Sequence, residues 1–358
     1  MAGVLFRVDA GPGVGLGHLQ RSLSLASALR ERGADCLFLT NEAVLSAERI
    51  DAFGFPYEVA RGGTSWGPED VERTRAAASK REWTTVVVDS LRKKPDYLPA
   101  LKGAGLSVCT IEDLAPWPFP SELVVNGDAH ASQLQYQSSS GDSRFLLGPQ
   151  YSILRQELWE FPARRVRSRP AKVLLTLGGA DDHNLMPSLL RVIGRLSVPL
   201  EVTALIGPYF KHPSEVREAA HSLSLPVRLA EAPTSVRSFL EETDLAVSAA
   251  GQTLYELARV GCPTVSFSFP TGPDQEMQLE AIAQAGCALS VGYALKGDLS
   301  ARVGESLEKL LREESLRSAM AAAGQRLVDG QGAHRVAEAV LALAQGRRTK
   351  AEASHGAR

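Results

Sequence analysis

Short apolar runs of strand length alternate with segments of helical periodicity along almost the whole chain. In the first half, runs rich in Val, Ile and Leu predict strands, and apolar residues three or four positions apart predict helices between them. The predicted strands are residues 4–8, 35–40, 84–89, 107–111 and 123–125, and the predicted helices are residues 19–32, 68–81 and 96–104. This alternation is typical of α/β layers built on parallel sheets.

A basic run that ends in a proline, residues 164–170, separates this pattern from a second one, and we interpret it as a solvated linker. The second pattern predicts strands near residues 173–177, 202–206, 227–229, 245–248 and 264–267, and helices near residues 185–195, 213–222, 254–260, 275–285, 301–313 and 316–327. The polar residues 346–358 predict a disordered tail. The chain therefore reads as one domain at residues 1–163, the linker, and a second domain at residues 171–345.

The predicted fold class is α/β, with two Rossmann-like, doubly wound parallel-sheet domains that face a central cleft. In such sheets, ligands bind outside the carboxyl ends of the strands, where the strand order reverses. The loops that follow the predicted strands are therefore the places where candidate chemistry is expected.

Composition excludes several classes of protein. The chain has 358 residues, 44% of them hydrophobic and 22% charged, and its formal net charge of −2 gives no reason to expect nucleic acid or an anionic membrane as a partner. Arg7 and Asp9 interrupt the first apolar run, so no signal peptide is expected, and no apolar window suits a membrane span. The four cysteines are far apart, which predicts neither disulfides nor a zinc site. We expect a cytoplasmic protein, with a monomer favoured and the oligomeric state open.

The first candidate site follows the first predicted strand. Residues 11–17 contain four glycines, and His18 opens the helix after them. A glycine-rich turn lets the backbone approach a ligand closely, and a helix N-terminus attracts anions. No glycine spacing here fits G-x-G-x-x-G, and the chain has no P-loop, which disfavours NAD enzymes and P-loop kinases. His18 is either a titratable base beside an anion site or a helix-capping or packing histidine.

A second strand–turn–helix segment spans residues 247–257. Gly251, Gln252 and Thr253 would offer backbone N–H groups and a hydroxyl to a phosphate, and Glu256 is placed to accept from the hydroxyls of a ribose. The alternative is a plain helix N-terminus with an acidic first turn.

Other polar residues and glycines also follow predicted strands. Gly178 and Gly179 form another tight turn after a strand, and Asp89 and Asp113 end strands that should border the same cleft. Residues 181–183 (Asp-Asp-His) are adjacent in sequence and so rarely converge on one ion, which favours a solvated loop. We predict no metal and no other cofactor.

Several stretches, taken in order, carry a resemblance to one family over most of the chain. They are FRVDA, GLGHLQRSLSLASAL, VVVDS, IEDLA, NGDAHA, LLGPQYSILRQEL, LLTLGGAD, AAGQTLYEL, PDQ and DGQGAHRV. Together they resemble the UDP-sugar hydrolases of pseudaminic acid biosynthesis, which release 2,4-diacetamido-2,4,6-trideoxy-L-altrose from UDP. That family is related to the N-acetylglucosaminyltransferase that completes lipid II and to spore-coat polysaccharide proteins. The resemblance implies the GT-B fold.

The resemblance also implies roles for particular residues. His18 corresponds to the catalytic histidine of the family, residues 251–256 to the segment that holds the phosphates and ribose, and Gln275 to a glutamine that reaches toward sugar or phosphate. Residues 230–234 would lie against the uracil. Leu91 and Asp274 depart from the pattern, since the hydrolases carry Tyr and Asn there, near the attacking water. These departures leave the nucleotide site intact and bear on the choice of acceptor.

The predicted reaction is cleavage of the anomeric C–O bond of a UDP-sugar with inversion, by a hydrolase of surface polysaccharide or nonulosonic acid biosynthesis. His18 would be the general base, and Asp274 is the second predicted catalytic residue. The predicted substrate-binding residues are Asp9, Gly15, Gly17, Arg21, Asp89, Asp113, Gly178, Gly179, Gly251, Gln252, Thr253, Glu256 and Gln275. The first alternative is a GT-B glycosyltransferase that uses another acceptor, and the second is a non-catalytic nucleotide-sugar binding protein. An oxidoreductase is a more distant alternative.

Overall fold

The computed structural model of the chain describes residues 2–11, 14, 16–41, 44–60, 66–269 and 273–355. The chain divides into two compact units. Unit 1 comprises Met1–Gln156 together with Gln331–Arg358, and unit 2 comprises Glu157–Gly330. No helix in the described ranges is both long and apolar enough to cross a membrane.

Unit 1 is built on a seven-stranded parallel sheet with the strand order β3-β2-β1-β4-β5-β6-β7. Its first elements are β1 (Gly3–Val8), α1 (Gly17–Arg30), β2 (Asp35–Thr40), α2 (Val44–Ala52), β3 (Tyr57–Val59), α3 (Pro68–Ser79), β4 (Thr85–Asp89), α4 (Tyr97–Gly103), β5 (Ser107–Ile111), β6 (Leu123–Asn126) and β7 (Arg144–Leu147).

Unit 2 contains a six-stranded parallel sheet with the order β10-β9-β8-β11-β12-β13. Its elements are β8 (Lys172–Thr176), α5 (Met186–Gly194), β9 (Glu201–Ile206), α6 (Pro213–His221), β10 (Val227–Glu231), α7 (Arg237–Glu242), β11 (Leu245–Ala249), α8 (Gln252–Arg259), β12 (Thr264–Ser268), α9 (Pro273–Gln284), β13 (Ala288–Tyr293), α10 (Leu299–Arg312) and α11 (Glu314–Leu327). The last helix, α12 (Gly332–His355), belongs to unit 1.

The central strands are buried along their whole length, as parallel sheets covered by helices on both faces require. Every residue of β4, β5 and β11 is buried. Each fully buried Val, Leu or Phe in such a strand contributes about 1.5–3 kcal/mol of transfer free energy. Polar side chains are therefore expected at the strand ends, where the sheet meets the loops.

Both sheets reverse their strand order beside their first strand. In unit 1 the chain leaves β1 toward β2 and later returns to β4 on the other side, and in unit 2 it does the same with β8, β9 and β11. The loops after β1 and β4, and those after β8 and β11, diverge at these points and leave the crevice in which doubly wound sheets bind ligands. The predicted pair of doubly wound parallel sheets is confirmed.

The predicted domains were residues 1–163 and 171–345, and the two units of the structure divide the chain at other positions. Unit 2 ends at Gly330, and α12 packs against unit 1. Arg32, just beyond α1, lies 2.8 Å from His334 Nδ1 and donates to Glu338 at 3.1 Å. Val336 and Val340 on the opposite face of α12 are fully buried. No helix was predicted over residues 332–355, and helical periodicity alone does not show against which sheet a helix packs.

Residues 164–170, interpreted above as a solvated linker, lie within unit 2. The buried Arg317 of α11 holds this segment by donating to the carbonyl oxygens of Arg167 and Ser168, at 2.9 and 2.8 Å. The predicted disordered tail also differs from the structure, because α12 continues to His355. Its Ala, Arg, Lys and Glu residues are strong helix formers.

Two glycines of α12 test how this helix packs. A Cβ atom on Gly332 would lie 2.1 Å from the Ser152 carbonyl oxygen, whereas one on Gly346 would meet nothing within 4 Å. We expect Gly332→Ala to lower the free energy of unfolding by about 1–3 kcal/mol, since backbone must move. The matched control Gly346→Ala should be neutral or stabilising, because alanine favours a helix. Urea unfolding of both variants measures the difference, and equal effects would contradict this packing.

Candidate functional site

Four polar side chains meet at the carboxyl edge of the unit 1 sheet. His18 and Arg21 lie near the start of α1, Asp89 is the last residue of β4, and Asp113 lies two residues beyond β5. Because β1, β4 and β5 are neighbours in the sheet, their carboxyl ends bring these residues together. We call His18, Arg21, Asp89 and Asp113 the His18 cluster.

Hydrogen bonds connect all four members of the His18 cluster. His18 Nδ1 lies 2.7 Å from Asp89 Oδ1. Arg21 donates to the Asp89 carboxylate through Nε and Nη2, at 2.7 and 2.6 Å. It also donates to the Asp113 carboxylate through Nη1 and Nη2, at 2.5 and 3.0 Å. Ser22 Oγ adds a bond of 3.3 Å to Asp89 Oδ2.

These contacts assign the tautomer of His18. A lone pair on Nδ1 would face the Asp89 carboxylate at 2.7 Å and be repelled, so Nδ1 carries the hydrogen and donates it. Nε2 of the neutral imidazole is then the acceptor. Among the described residues nothing hydrogen-bonds to Nε2, and His18 is 8% exposed. The Nε2 lone pair is therefore free to accept a proton from a ligand.

The carboxylates of the cluster are ionised. Burial by itself raises the pKa of Asp89 and Asp113, but the Arg21 guanidinium outweighs burial and, with His18, holds the pKa of both below the usual range. In the same way, burial lowers the pKa of Arg21, while Asp113 and Asp89 more than offset it. Asp89, Asp113 and Arg21 are therefore all charged at neutral pH.

A second buried ion pair holds the loops that carry the two carboxylates. Lys93 Nζ lies 2.6 Å from Glu112 Oε2, and both side chains are 2% exposed. Lys93 also donates to the Ser90 carbonyl oxygen at 2.8 Å, and Glu112 accepts from the Asp113 backbone N–H at 3.2 Å. The loop after β4 is thus tied to the loop after β5. Sequence reasoning missed this pair, whose signal was charged residues just after two buried strands.

The Gly251 turn, which we define as residues 250–253, lies at the carboxyl edge of the unit 2 sheet. Gly251 has φ +134° and ψ −166°, a conformation that is essentially restricted to glycine. It is the N-cap of α8 and, as a glycine, has no side chain with which to cap the helix. The leading N–H groups of a helix have no partner within the helix, and the dipole adds positive potential there. The geometry of the turn suits an anionic group such as a phosphate.

Gly178 and Gly179 follow β8, which pairs with β11, so their turn lies at the same edge of the sheet as the Gly251 turn. Gly178 has φ +77°, and a Cβ atom on Gly207 would lie 2.4 Å from its carbonyl oxygen. Asp181 accepts two backbone N–H bonds, of 2.9 and 2.8 Å, at the start of α5. Its carboxylate therefore caps that helix.

Three further predicted residues lie on α8 and α9. Glu256 is 4% exposed, one turn beyond the start of α8. Asp274 and Gln275 lie in the first turn of α9. Gln275 Oε1 is buried and has no hydrogen-bond partner among the described residues. A buried amide oxygen in this state can accept a hydrogen bond from a ligand.

Asp9 does not lie with the His18 cluster, and its predicted role as a substrate ligand is corrected. Its carboxylate is fully buried and binds Arg7 Nη1 at 2.7 Å and Trp66 Nε1 at 2.8 Å. Arg7 also pairs with Asp70 of α3 at 2.7 Å. Asp9 is thus part of a charged network that fixes β1 to α3.

The remaining predicted positions are Gly15, Gly17 and residues 230–234. Gly17 is the exposed first residue of α1. Gly15 lies outside the described residues. The resemblance implies that residues 230–234 lie against the uracil. In this segment, the Ala232 backbone N–H donates to the Ile206 carbonyl oxygen at 2.8 Å.

The chain is similar to several curated proteins, although no family model matches it. It is 22% identical to an uncharacterized protein of Methanocaldococcus jannaschii over 72% of this chain and 54% of that protein, so it spans about half of that relative. It is 22% identical to the spore coat polysaccharide biosynthesis protein SpsG of Bacillus subtilis, over 92% of this chain and 94% of SpsG. It is 21% identical to the UDP-2,4-diacetamido-2,4,6-trideoxy-beta-L-altropyranose hydrolase of Campylobacter jejuni, over 58% of this chain and 72% of the hydrolase.

Solved structures share the fold over nearly the full chain. MurG of Acinetobacter baumannii matches with a TM-score of 0.68 at 16% identity, over 95% of this chain and 99% of MurG. MnaA of S. aureus, solved with UDP, matches at 0.62 and 13% identity over 94% and 95% of the two chains. HepE of Anabaena, in complex with UDP-glucose, matches at 0.60 and 14% identity over 96% and 100%. The chain has the two-domain GT-B fold of glycosyltransferases such as MurG.

The lowered pKa values of Asp89 and Asp113 predict a loss of stability in acid. Their contribution is complete above about pH 4, where carboxyls of the unfolded chain are ionised, and is lost as the pH falls below that value. We therefore expect Asp113→Asn to have a lower free energy of unfolding than wild type at neutral pH. On acidification, the free energy of unfolding of this variant should fall by less than that of wild type. The control Asp51→Asn removes an exposed carboxylate of α2 and should behave as wild type. Urea unfolding as a function of pH measures this, and an unchanged acid dependence in Asp113→Asn would contradict it.

Proposed function

We propose that the protein is an enzyme that cleaves the anomeric C–O bond of a UDP-sugar with inversion, and that water is the acceptor. The observation that carries the proposal is the His18 Nδ1 contact with Asp89 at 2.7 Å, which makes Nε2 a proton acceptor. The similarity to a UDP-sugar hydrolase and to structures that bind UDP or UDP-glucose supports the choice of substrate. The similarity to SpsG supports a place in surface polysaccharide or nonulosonic acid biosynthesis.

In the proposed reaction, the oxygen of a water molecule attacks the anomeric carbon from the face opposite UDP. His18 Nε2 takes a proton from this water as the new C–O bond forms. The bond between the anomeric carbon and the phosphate oxygen breaks, and its electron pair leaves with UDP. Asp89 stabilises the imidazolium that forms. General-base assistance of this kind contributes about 10²–10⁴-fold.

We assign the nucleotide to unit 2. The Gly251 turn would bind the diphosphate, and the positive end of the α8 dipole would stabilise the charge that develops on UDP. Glu256 would accept from the ribose hydroxyls. The buried Oε1 of Gln275 would accept from a donor on the substrate. The scheme gives Asp274 a role beside the acceptor and uses no metal.

A glycosyltransferase that uses the same donor is the second candidate, and Leu91 favours it. This side chain follows Asp89 by two residues and is 51% exposed, so it offers an apolar surface and no hydroxyl to hold a water molecule. If the protein is a transferase, we expect slow release of UDP in water alone and a large increase in that rate when an acceptor is added. If it is a non-catalytic binding protein, we expect tight UDP binding and no release of UDP from any donor.

The decisive test is UDP release from a panel of UDP-sugars, without acceptor, by wild type and His18→Ala. We expect His18→Ala to lower the rate by about 10²–10⁴-fold while the affinity for UDP changes little, because only the base is lost. His221→Ala, an exposed histidine on α6, is the matched control and should behave as wild type. Near-full turnover by His18→Ala would exclude His18 as the base. Binding without release would favour an acceptor other than water.

The proposed diphosphate site is tested by a pair of glycine substitutions in unit 2. Gly251 and Gly297 both have positive φ, +134° and +67°, and a Cβ atom would meet nothing within 4 Å at either position. Each alanine variant therefore introduces backbone strain of about 1–3 kcal/mol without a clash. We expect Gly251→Ala to weaken UDP binding at least about tenfold, because the turn must change, and Gly297→Ala to leave it unchanged. Calorimetric titration with UDP measures both, and equal affinities would contradict the assignment.

A further inference from the structure

Arg21 is shared by two carboxylates, and this arrangement leaves it little capacity for a substrate. Four of its N–H···O contacts, from 2.5 to 3.0 Å, go to Asp89 and Asp113. A guanidinium has five N–H donors in all. Arg21 thus uses four of its five donors within the His18 cluster, and its predicted role in binding substrate would fall to the remaining Nη1 N–H.

The charges of the cluster have a consequence for His18. Arg21 Nη2 lies 3.0 Å from His18 Nδ1, so its positive charge opposes the formation of an imidazolium. With Asp89 alone, the two charges nearest His18 would cancel. Asp113 adds a second negative charge against Nη1 and Nη2 of the same guanidinium. The cluster is then net negative beside neutral His18 and becomes neutral when His18 accepts a proton.

Arg21 cannot simply be absent from such a site. Asp89 is completely buried, and a buried carboxyl without a cationic partner takes up a proton. A protonated Asp89 would not stabilise an imidazolium. The guanidinium is therefore needed to keep Asp89 ionised, and a second carboxylate is needed to offset the guanidinium.

We propose that Asp113 is a positioning residue that compensates the charge of Arg21, so that the charge of Asp89 remains available to the imidazolium of His18. The inference rests on the proposed role of His18 as general base. Asp113 does so without a hydrogen bond to the imidazole in the described ranges, since its carboxylate binds Arg21.

Other titratable groups also surround the cluster. Lys93 and Glu112 neutralise each other at 2.6 Å. His130 Nε2 lies 3.2 Å from the Asp113 carbonyl oxygen, and the Tyr136 hydroxyl accepts from Asn126 at 2.8 Å. Asp128 is buried in the same region and acts on the pKa of Tyr136. Of the carboxylates of Glu112, Asp113 and Asp128, that of Asp113 binds Arg21.

The test compares Asp113→Asn with Asp113→Glu in the full-length protein. Two quantities are measured: the pH midpoint of the acidic limb of kcat/KM for UDP release, and the pH midpoint of the His18 imidazole titration by NMR without substrate. His18→Ala identifies the His18 signal. We expect both midpoints to move down by about one pH unit in Asp113→Asn, because one negative charge near the imidazole is lost. Asp113→Glu keeps the charge and should restore both.

The midpoints separate charge from structure. If Asp113 were only structural, Asp113→Asn would lower kcat/KM and the free energy of unfolding without moving either midpoint. Should Asp113→Asn not fold, Asp113→Ser takes its place: lowered midpoints support the proposal, and midpoints at the wild-type value contradict it.

Asp70→Asn is the control for the loss of a buried ion pair in the same unit. Asp70 pairs with Arg7, and no hydrogen bond among the described residues joins it to the His18 cluster, so this variant should lose stability without moving either midpoint. Midpoints that stay in place in Asp113→Asn would overturn the inference. Failure of the proposed function has a different signature, since His18→Ala would then retain UDP release, while the NMR titration would still measure the effect of Asp113.

Discussion

The contact of one buried guanidinium with two buried carboxylates organises the carboxyl edge of the unit 1 sheet. Arg21 reaches Asp89 at the end of β4 and Asp113 beyond β5, and it does so from the helix that carries His18. Removing one partner of a buried ion pair lowers the free energy of unfolding by about 3–5 kcal/mol. A substitution of any single member of this contact is therefore destabilising. The tautomer of His18, the ionisation of Asp89 and the register of α1 over the sheet all depend on this contact.

The two units present different chemistry at equivalent places in their sheets. Unit 1 has charged side chains beside its switch point, and unit 2 has glycine turns and an uncapped helix beside its own. Side chains suit proton transfer, because their charge can be tuned by neighbours. Backbone N–H groups suit a phosphate, because they approach it closely and carry no proton to lose. The proposed division of labour between base and nucleotide follows from this difference.

The sequence was informative wherever a polar residue or a glycine ends or closely follows a predicted strand. Asp89, Asp113 and Gly251 could be identified in this way, because parallel strands bring their carboxyl ends to one edge, whereas His18 was identified by the glycine-rich turn before it and the helix that it opens. What a strand end does not reveal is the face on which a side chain lies. Asp9 follows β1 as closely as Asp89 ends β4, yet it is buried in the Arg7 network.

Long-range pairing was the other part that sequence could not supply. Arg21 and Asp113 are 92 positions apart, and Lys93 pairs with Glu112 through contacts that no periodicity encodes. Likewise, the return of α12 to unit 1 depends on the fit of Gly332 against Ser152 and on the buried valines of the helix. Helical periodicity predicts that such a face is buried, but not which sheet it covers.

The most direct test of the account is the fate of isotopically labelled water during UDP release. If His18 activates water for attack on the anomeric carbon, the heavy oxygen appears at the anomeric hydroxyl of the sugar, and the UDP carries none. NMR of the first product should then show the inverted anomer. Heavy oxygen in the UDP would mean that water attacks phosphorus and that a P–O bond breaks, which would contradict the central claim.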